Sequence, residues 1–303
     1  MTSMTKPLAI LSLPIFVVWF VVSKSSSAIG EDLSSSTFSR SHFFQVQSFD
    51  GGPNSQRVLE LCESLRTEIV RVWSQKSGPS TWEPRCEVIL HHSRDGYSKA
   101  VGPGSSSTNG SSLVQIKSGL ISSRRIDLIV DQHGVLTSLP HELTHVILSD
   151  CFTGRQPPLW FDEGVAMLSD THEKQLLHER DCMDAISSKN AFPIDALVRL
   201  DQFTSSSQVA PFYGQSLTLV RMLAQQKGPE TLIEFAKDSM DHGIAFALKR
   251  HYQIDDVREL ERQWKKEIQT LKSSTNRKPF GSVRLQPINA RLDPLQPEDH
   301  TGS

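Results

Sequence analysis

Residues 136–148 read L-T-S-L-P-H-E-L-T-H-V-I-L, which places two histidines four positions apart inside an apolar stretch. Positions i and i+4 of a helix lie one turn apart on the same face, so the imidazoles of His141 and His145 can reach one metal ion. Glu142 stands beside them, near enough to contact a water on that ion. The apolar residues on both sides are typical of a buried helix, which we expect over 135–150.

The spacing H-E-x-x-H on a helix is typical of zinc hydrolases, but a catalytic zinc takes three protein ligands and keeps its fourth position for water. Residues 157–166, P-P-L-W-F-D-E-G-V-A, offer the third ligand. The two prolines can start a second helix, and Glu163 lies on its first turns. The 17 residues between His145 and Glu163 leave room for a turn and a return helix. The sequence therefore predicts one Zn²⁺ ion held by His141, His145 and Glu163.

The two motifs resemble those of the gluzincin metallopeptidases, the thermolysin-like and M1 aminopeptidase-like group, and most closely those of peptidase MA-like domain proteins. In that family H-E-L-T-H is followed by P-L-W-F-x-E-G-x-A, and both segments stand here, at 141–145 and 158–166. A weaker likeness extends over 42–272. The resemblance implies a zincin-like fold, zinc bound by the same three residues, and Glu142 as the general base in peptide-bond hydrolysis.

The chain departs from that pattern close to its third ligand. Thermolysin-like enzymes often carry a carboxylate four residues after the glutamate, to support a metal-binding histidine, but Met167 stands there. We expect Asp170 or Asp150 to substitute for it. Pro140 precedes the first histidine and removes one helical hydrogen bond, which predicts a kink in the motif helix.

An oxyanion that forms during peptide hydrolysis needs a hydrogen-bond donor besides the metal. Tyr213 is the candidate, because it lies beside Gly214 in the helical half and the resemblance places a tyrosine there. The alternative is a tyrosine that only packs at the start of a helix. His133 is a second candidate for the donor.

The pattern of apolar residues predicts an α+β fold with two parts. The first, 42–134, should be a mixed β-sheet with one helix packed on it, and the second, 135–272, should be mainly helical and carry the metal site. Predicted strands cover 42–48, 86–91, 113–117 and 126–131, with a helix over 56–73 and a flexible loop over 102–112. Predicted helices after the motif helix cover 158–169, 171–187, 212–227, 229–240 and 255–271.

Composition excludes several classes of protein. Of 303 residues, 37% are apolar, which is enough for a core and excludes a fully disordered chain. The net charge of −2 and an aromatic content of 7% are not those of a nucleic-acid-binding protein. We therefore expect no nucleic-acid partner.

The first 28 residues have the pattern of a secretory signal peptide. An uncharged apolar run over 7–22 follows Lys6, and small residues lead to a possible cleavage after Ala28. The run is short for a membrane-spanning helix. We expect a secreted, periplasmic or cell-envelope protein with a loose leader over 29–41 and a disordered tail over 273–303. The alternative is an uncleaved membrane anchor.

Export would permit disulfide bonds between the four cysteines, which can pair in three ways. The pairs closest in sequence are Cys62–Cys86 and Cys151–Cys182. Free, buried thiols are the alternative.

Together these observations predict an exported zinc-dependent metallopeptidase that acts on a peptide or protein substrate. Extended substrates could add as a strand to 113–117, at the rim of the cleft. The sequence has no clear G-x-M-E-N-type segment of the kind that grips a free amino terminus, which favours endopeptidase over aminopeptidase action. The alternatives are a catalytically silent binding or scaffold protein that keeps the zinc fold, and a zinc hydrolase of non-peptide amides. Glu142 favours catalysis, since a structural zinc needs no base.

Overall fold

The structure is a computed structural model that describes residues 36–73, 81–130, 135–152 and 155–273. The predicted signal peptide 1–28, His133 and the tail beyond residue 273 lie outside the described residues. None of the helices in the described ranges combines the length and the hydropathy that a membrane crossing requires.

One mixed sheet of five strands spans the first half of the described chain, in the order β1-β2-β3-β5-β4. The strands are β1 Thr37–Arg40, β2 Phe44–Ser48, β3 Cys86–His91, β4 Gly110–Lys117 and β5 Leu120–Ile129. The three central strands β2, β3 and β5 run parallel, and the two edge strands β1 and β4 pair antiparallel with their neighbours. β4 and β5 form a hairpin through Ser118 and Gly119, whose positive φ angles of 51° and 78° suit a tight two-residue turn.

Two helices accompany the sheet. Helix α1, Ser55–Trp73, connects β2 to β3, and its buried face includes Val58, Leu65 and Ile69 at helical spacing. Its apolar side closes the core against β2 and the motif helix α3, Leu139–Cys151. The second helix, α2 Arg94–Val101, lies between β3 and β4.

The rest of the described chain is helical. After α3 come α4 Leu159–Met167, α5 His172–Ser187, α6 Ile194–Leu197, α7 Val209–Lys227, α8 Pro229–His242, α9 Ile244–Tyr252 and α10 Val257–Ser273. Helix α7 is buried along most of its length and packs against α4, α5 and α8. Gly164 of α4 permits a close approach to α7, because a β-carbon there would collide with Val220 and lie 2.7 Å from the Ser216 carbonyl oxygen.

The predicted α+β class, a mixed sheet followed by helices, is confirmed. The leader predicted over 29–41 contains β1, which gains its order by pairing with β2. The loop predicted over 102–112 ends earlier, because β4 begins at Gly110. Pro140 causes no kink within α3, because the helix starts at Leu139 and the proline occupies its first turn, where no helical N–H bond is lost.

All four cysteines are free thiols, and three of them, Cys62, Cys86 and Cys182, are buried, as in the free-thiol alternative; neither of the two possible disulfide pairs is formed. Cys62 and Cys86 belong to the apolar core between α1 and the sheet, where burial raises the pKa of both thiols. Cys182 is also buried and contacts the Thr218 hydroxyl at 3.5 Å. Each of these thiols packs as a small apolar group.

Candidate metal centre

The two histidines lie on a helix that is buried on every side. All residues from Leu139 to Ser149 of α3 are buried, because this helix sits between the sheet and the helical half. His141 and His145 are each 1% exposed, and their rings stand one turn apart with centroids at 4.9 Å. A helix without a solvent face holds its side chains in fixed rotamers, which suits a preformed site.

Helix α4 supplies the third expected ligand. Pro158 caps its start, and Glu163 lies on its second turn, fully buried. Glu163 Oε2 lies 3.6 Å from His141 Nε2 and 3.9 Å from His145 Nε2. The structure thus brings the three expected ligands together, with one donor atom from each within 4.8 Å of the others.

The donor atoms of this cluster fit a zinc ion. Among the described residues, neither Nε2 atom and neither oxygen of Glu163 has a hydrogen-bond partner, although all four atoms are buried. Burying polar atoms without partners is costly, and a cation would satisfy them. Two ligand atoms of a tetrahedral zinc stand about 3.3 Å apart, slightly less than the separations found here. Two imidazoles and one carboxylate form a donor set that catalytic zinc uses.

The other nitrogen of each ring faces an aspartate. His141 Nδ1 lies 3.0 Å from Asp170 Oδ2, and His145 Nδ1 lies 3.0 Å from Asp162 Oδ1. The hydrogen bond to Asp170 holds a proton on Nδ1 of His141 and leaves its Nε2 lone pair for a metal. Asp162 meets His145 Nδ1 as a close ion-pair contact that lacks hydrogen-bond geometry. Both rings are therefore oriented with Nε2 toward Glu163.

Of the two aspartates that the sequence offered as supports, Asp170 takes the role and Asp150 does not. Asp150 instead accepts hydrogen bonds from Trp82 Nε1 at 2.8 Å and from Arg124 at 2.6 Å, and so ties α3 to the sheet. Sequence reasoning missed Asp162. The sequence feature that could have identified Asp162 is its position directly before Glu163, which places both residues on the same turn of one helix.

The electrostatic surroundings favour positive charge on the two rings. Burial alone would lower the pKa of His141, but the charge of Asp170, the hydrogen bond to Asp170 and the nearby carboxylate of Glu163 raise it to about 10. Burial is likewise outweighed at His145, whose pKa is raised by Asp162 and Glu163. Carboxylates that stabilise an imidazolium this strongly also suit a bound cation.

Glu142 is fully buried and does not belong to the ligand cluster. Its two oxygens have no hydrogen-bond partner. Burial raises the pKa of Glu142, and the charges of His141 and His145 oppose that rise. A carboxylate with a raised pKa and free lone pairs is suited to accept a proton.

Edge strand β4 begins directly against Glu142. A β-carbon at Gly110 would lie 2.8 Å from Ser138 Cβ and 2.9 Å from both Cγ and Oε1 of Glu142. The preceding segment is anchored by Arg94, which donates to the Thr108 carbonyl oxygen and to the Asn109 side chain. The start of β4 is thus a fixed wall of the site.

Tyr213 lies on α7, buried, with its ring stacked on His178 at a centroid distance of 5.9 Å. Phe203 and Phe212 contact other sides of the ring. Burial, followed by the charges of Glu163 and Glu142, raises the pKa of Tyr213 well above its ordinary value. The Tyr213 hydroxyl therefore stays protonated under the negative charges of these carboxylates. The ring contacts fit a packing role as well.

Comparison of the chain with protein-family models found no match, and comparison with curated proteins found no significantly similar sequence.

Proposed function

We propose that this protein is an exported zinc-dependent metallopeptidase with a zincin-like fold. One observation carries the proposal: His141, His145 and Glu163 bring buried donor atoms without hydrogen-bond partners within 4.8 Å of one another. The N-terminal apolar run supports a secreted, periplasmic or cell-envelope location. If that run stays uncleaved, residues 7–22 anchor the protein to a membrane.

His141, His145 and Glu163 would hold the ion, and Asp170 and Asp162 would orient the two rings. When bound, zinc supplies Lewis-acid chemistry, which lowers the pKa of a water molecule and polarises a carbonyl group. The site residues are fixed before substrate arrives, because they lie on two buried helices.

Glu142 is the general base in this proposal. Its carboxylate takes a proton from the attacking water and passes it to the nitrogen of the leaving amine. The raised pKa of Glu142 supports the first transfer, because a stronger base accepts a proton more readily. The backbone at Gly110 packs directly against the Glu142 side chain, and this close packing reduces the cost of aligning the carboxylate.

Tyr213 is the proposed donor to the oxyanion that forms at the carbonyl. Burial and the charges of Glu163 and Glu142 keep its hydroxyl protonated by raising its pKa, which supports this role. The ring contacts with His178 and Phe203 would hold the hydroxyl in place.

Peptides are the favoured substrates because β4 is an edge strand beside Glu142. Its outer side leaves backbone N–H and C=O groups unpaired within the sheet, and residues 113–117 could pair with an extended peptide there. Binding of this kind needs no free terminus, which favours endopeptidase action.

Zinc analysis combined with a peptide-library assay tests the proposal. We expect one zinc per chain and cleavage of internal peptide bonds that stops when a chelator removes the ion and returns when zinc is restored. One zinc without cleavage of any peptide would favour the catalytically silent scaffold. Cleavage of simple amides in place of peptides would favour the non-peptide hydrolase.

A further inference from the structure

The turn after α4 carries Asp170 and is held to the neighbouring helices by several bonds. On the α3 side, the Ser169 and Thr144 hydroxyls lie 2.7 Å apart, and Asp170 contacts His141. On the α5 side, Gln175 Nε2 donates to the carbonyl oxygens of Leu168 at 3.1 Å and of Asp170 at 3.0 Å. The support of the His141 ring therefore depends on α5 as well as on α3.

The orientation of the Gln175 amide is fixed by a third partner. Arg221 of α7 donates to Gln175 Oε1 at 3.0 Å, and the same guanidinium pairs with Glu179. An amide has two donor hydrogens and one acceptor oxygen, and each of them meets its complement here. Turning the amide over would place its NH₂ group against the guanidinium, so this arrangement is the one its partners permit.

We propose that Gln175 is a positioning residue of the metal centre. Held by Arg221, its amide fixes the backbone at Leu168 and Asp170, and so fixes the carboxylate that orients His141. The inference rests on the proposed zinc site and extends it to a residue that touches neither the metal ligands nor the substrate.

Lys174 also contacts Asp170, at 3.2 Å, but it does not have the same role. Its side chain is 29% exposed, and an ion pair that water reaches is weak. Lys174 acts on the Asp170 carboxylate alone, whereas Gln175 binds the backbone on both sides of the turn.

Two substitutions at position 175 separate the effect of the hydrogen bonds that the Gln175 side chain donates from the effect of its packing. Gln175→Met keeps the length of the side chain and loses every hydrogen bond. Gln175→Glu keeps the acceptor for Arg221 and loses the donor to the two carbonyls.

Gln263→Met is the matched control, because Gln263 is also a partly buried helical glutamine whose amide donates one bond, to Glu259. The measurements are zinc affinity by chelator competition, the absorption spectrum of bound Co²⁺, and circular dichroism.

We expect both variants at position 175 to bind zinc about tenfold more weakly than the wild type, at the lower end of the effect of outer-sphere partners of ligating histidines. Their Co²⁺ spectra should shift, since His141 is less well oriented. Gln263→Met should match the wild type in both measurements.

Wild-type zinc affinity and an unchanged Co²⁺ spectrum in folded Gln175→Met and Gln175→Glu would overturn this inference and leave the zinc site standing. Loss of the native fold in both variants would also overturn it, because Gln175 would then be a structural residue. If the wild type itself binds no zinc, the proposed function fails together with the inference.

Discussion

Gly110 lies against the carboxylate of Glu142, so closely that a β-carbon at this glycine would stand 2.9 Å from Oε1. The edge strand of the sheet and the buried helix α3 therefore meet at the proposed general base. A glycine is required because any side chain on this face of β4 would occupy the space of the carboxylate.

Gly110→Ala should lower peptide hydrolysis and leave zinc content unchanged. The added methyl must displace Glu142, and a misplacement of about 1 Å can cost 10²-fold in rate. Turnover and zinc stoichiometry measured on the same preparation check this. Gly96→Ala is the control, because a β-carbon there meets one side-chain atom, Ser93 Oγ at 3.3 Å, which needs only a small shift. Equal activity of Gly110→Ala and wild type would show that the contact between Gly110 and Glu142 does not position the proposed base.

Asp170→Ala should weaken zinc binding about 10–100-fold, the usual effect of losing the carboxylate behind a ligating histidine. Asp162→Ala should do the same through His145. Asp150→Ala is the matched control, since its carboxylate binds Trp82 and Arg124 and no histidine. It should lower thermal stability and keep zinc affinity. Chelator competition distinguishes the three, and equal affinities would show that the aspartates do not orient the rings.

Tyr213→Phe should reduce the turnover number about 10²-fold if the hydroxyl stabilises the oxyanion, with little change in KM or zinc content. The ring contacts with His178, Phe203 and Phe212 remain, so the fold should persist. Steady-state kinetics on a cleaved peptide measure this. An unchanged turnover number would assign Tyr213 to packing and leave the other residues in their roles.

Asp127 should contribute stability that depends on pH. Burial opposes its ionisation, but hydrogen bonds from His91 and Arg125 lower the pKa of its carboxyl below the ordinary value. A lowered pKa in the folded state gives stability that is present above the unfolded pKa, about 3.9, and is lost as pH falls through the folded value. Asp127→Asn should therefore be less stable than the wild type by about 1–3 kcal/mol at neutral pH.

That difference should begin to shrink below the unfolded pKa and vanish as the pH falls through the lower folded pKa, where the wild-type carboxyl becomes neutral too. Urea unfolding at several pH values measures it. A stability difference that stays constant across acidic and neutral pH would show that the charge of Asp127 is not responsible.

Local sequence patterns predicted the elements with strong apolar periodicity. Helix α1 shows its core face at three- and four-residue spacing, and α3 carries the motif within an apolar run, so both were expected. Helix α2 was missed because Tyr97 is its one buried residue, which leaves no apolar period. β1 was missed because its order depends on pairing with β2, and its own residues are mostly exposed.

For the site, spacing along α3 and α4 was enough to group the three expected ligands. The residues that contact the histidines and Glu142 from other segments were harder to predict, because their positions depend on how segments far apart in sequence pack together. Asp170 reaches His141 across a turn, and Gly110 meets Glu142 from the sheet. Gly164 follows Glu163 directly, yet it faces α7 and not the helix that carries the two histidines. Contacts between segments far apart in sequence leave no periodic signal in either one.

The central claim is that Glu142 acts as the base beside a zinc ion held by the other three residues. The most direct test is peptide hydrolysis by Glu142→Gln loaded with one zinc per chain. The amide keeps the size of the side chain but cannot accept the proton, so hydrolysis should fall by about 10²–10⁴-fold while zinc is retained. Hydrolysis at the wild-type rate by the zinc-loaded variant would contradict the account.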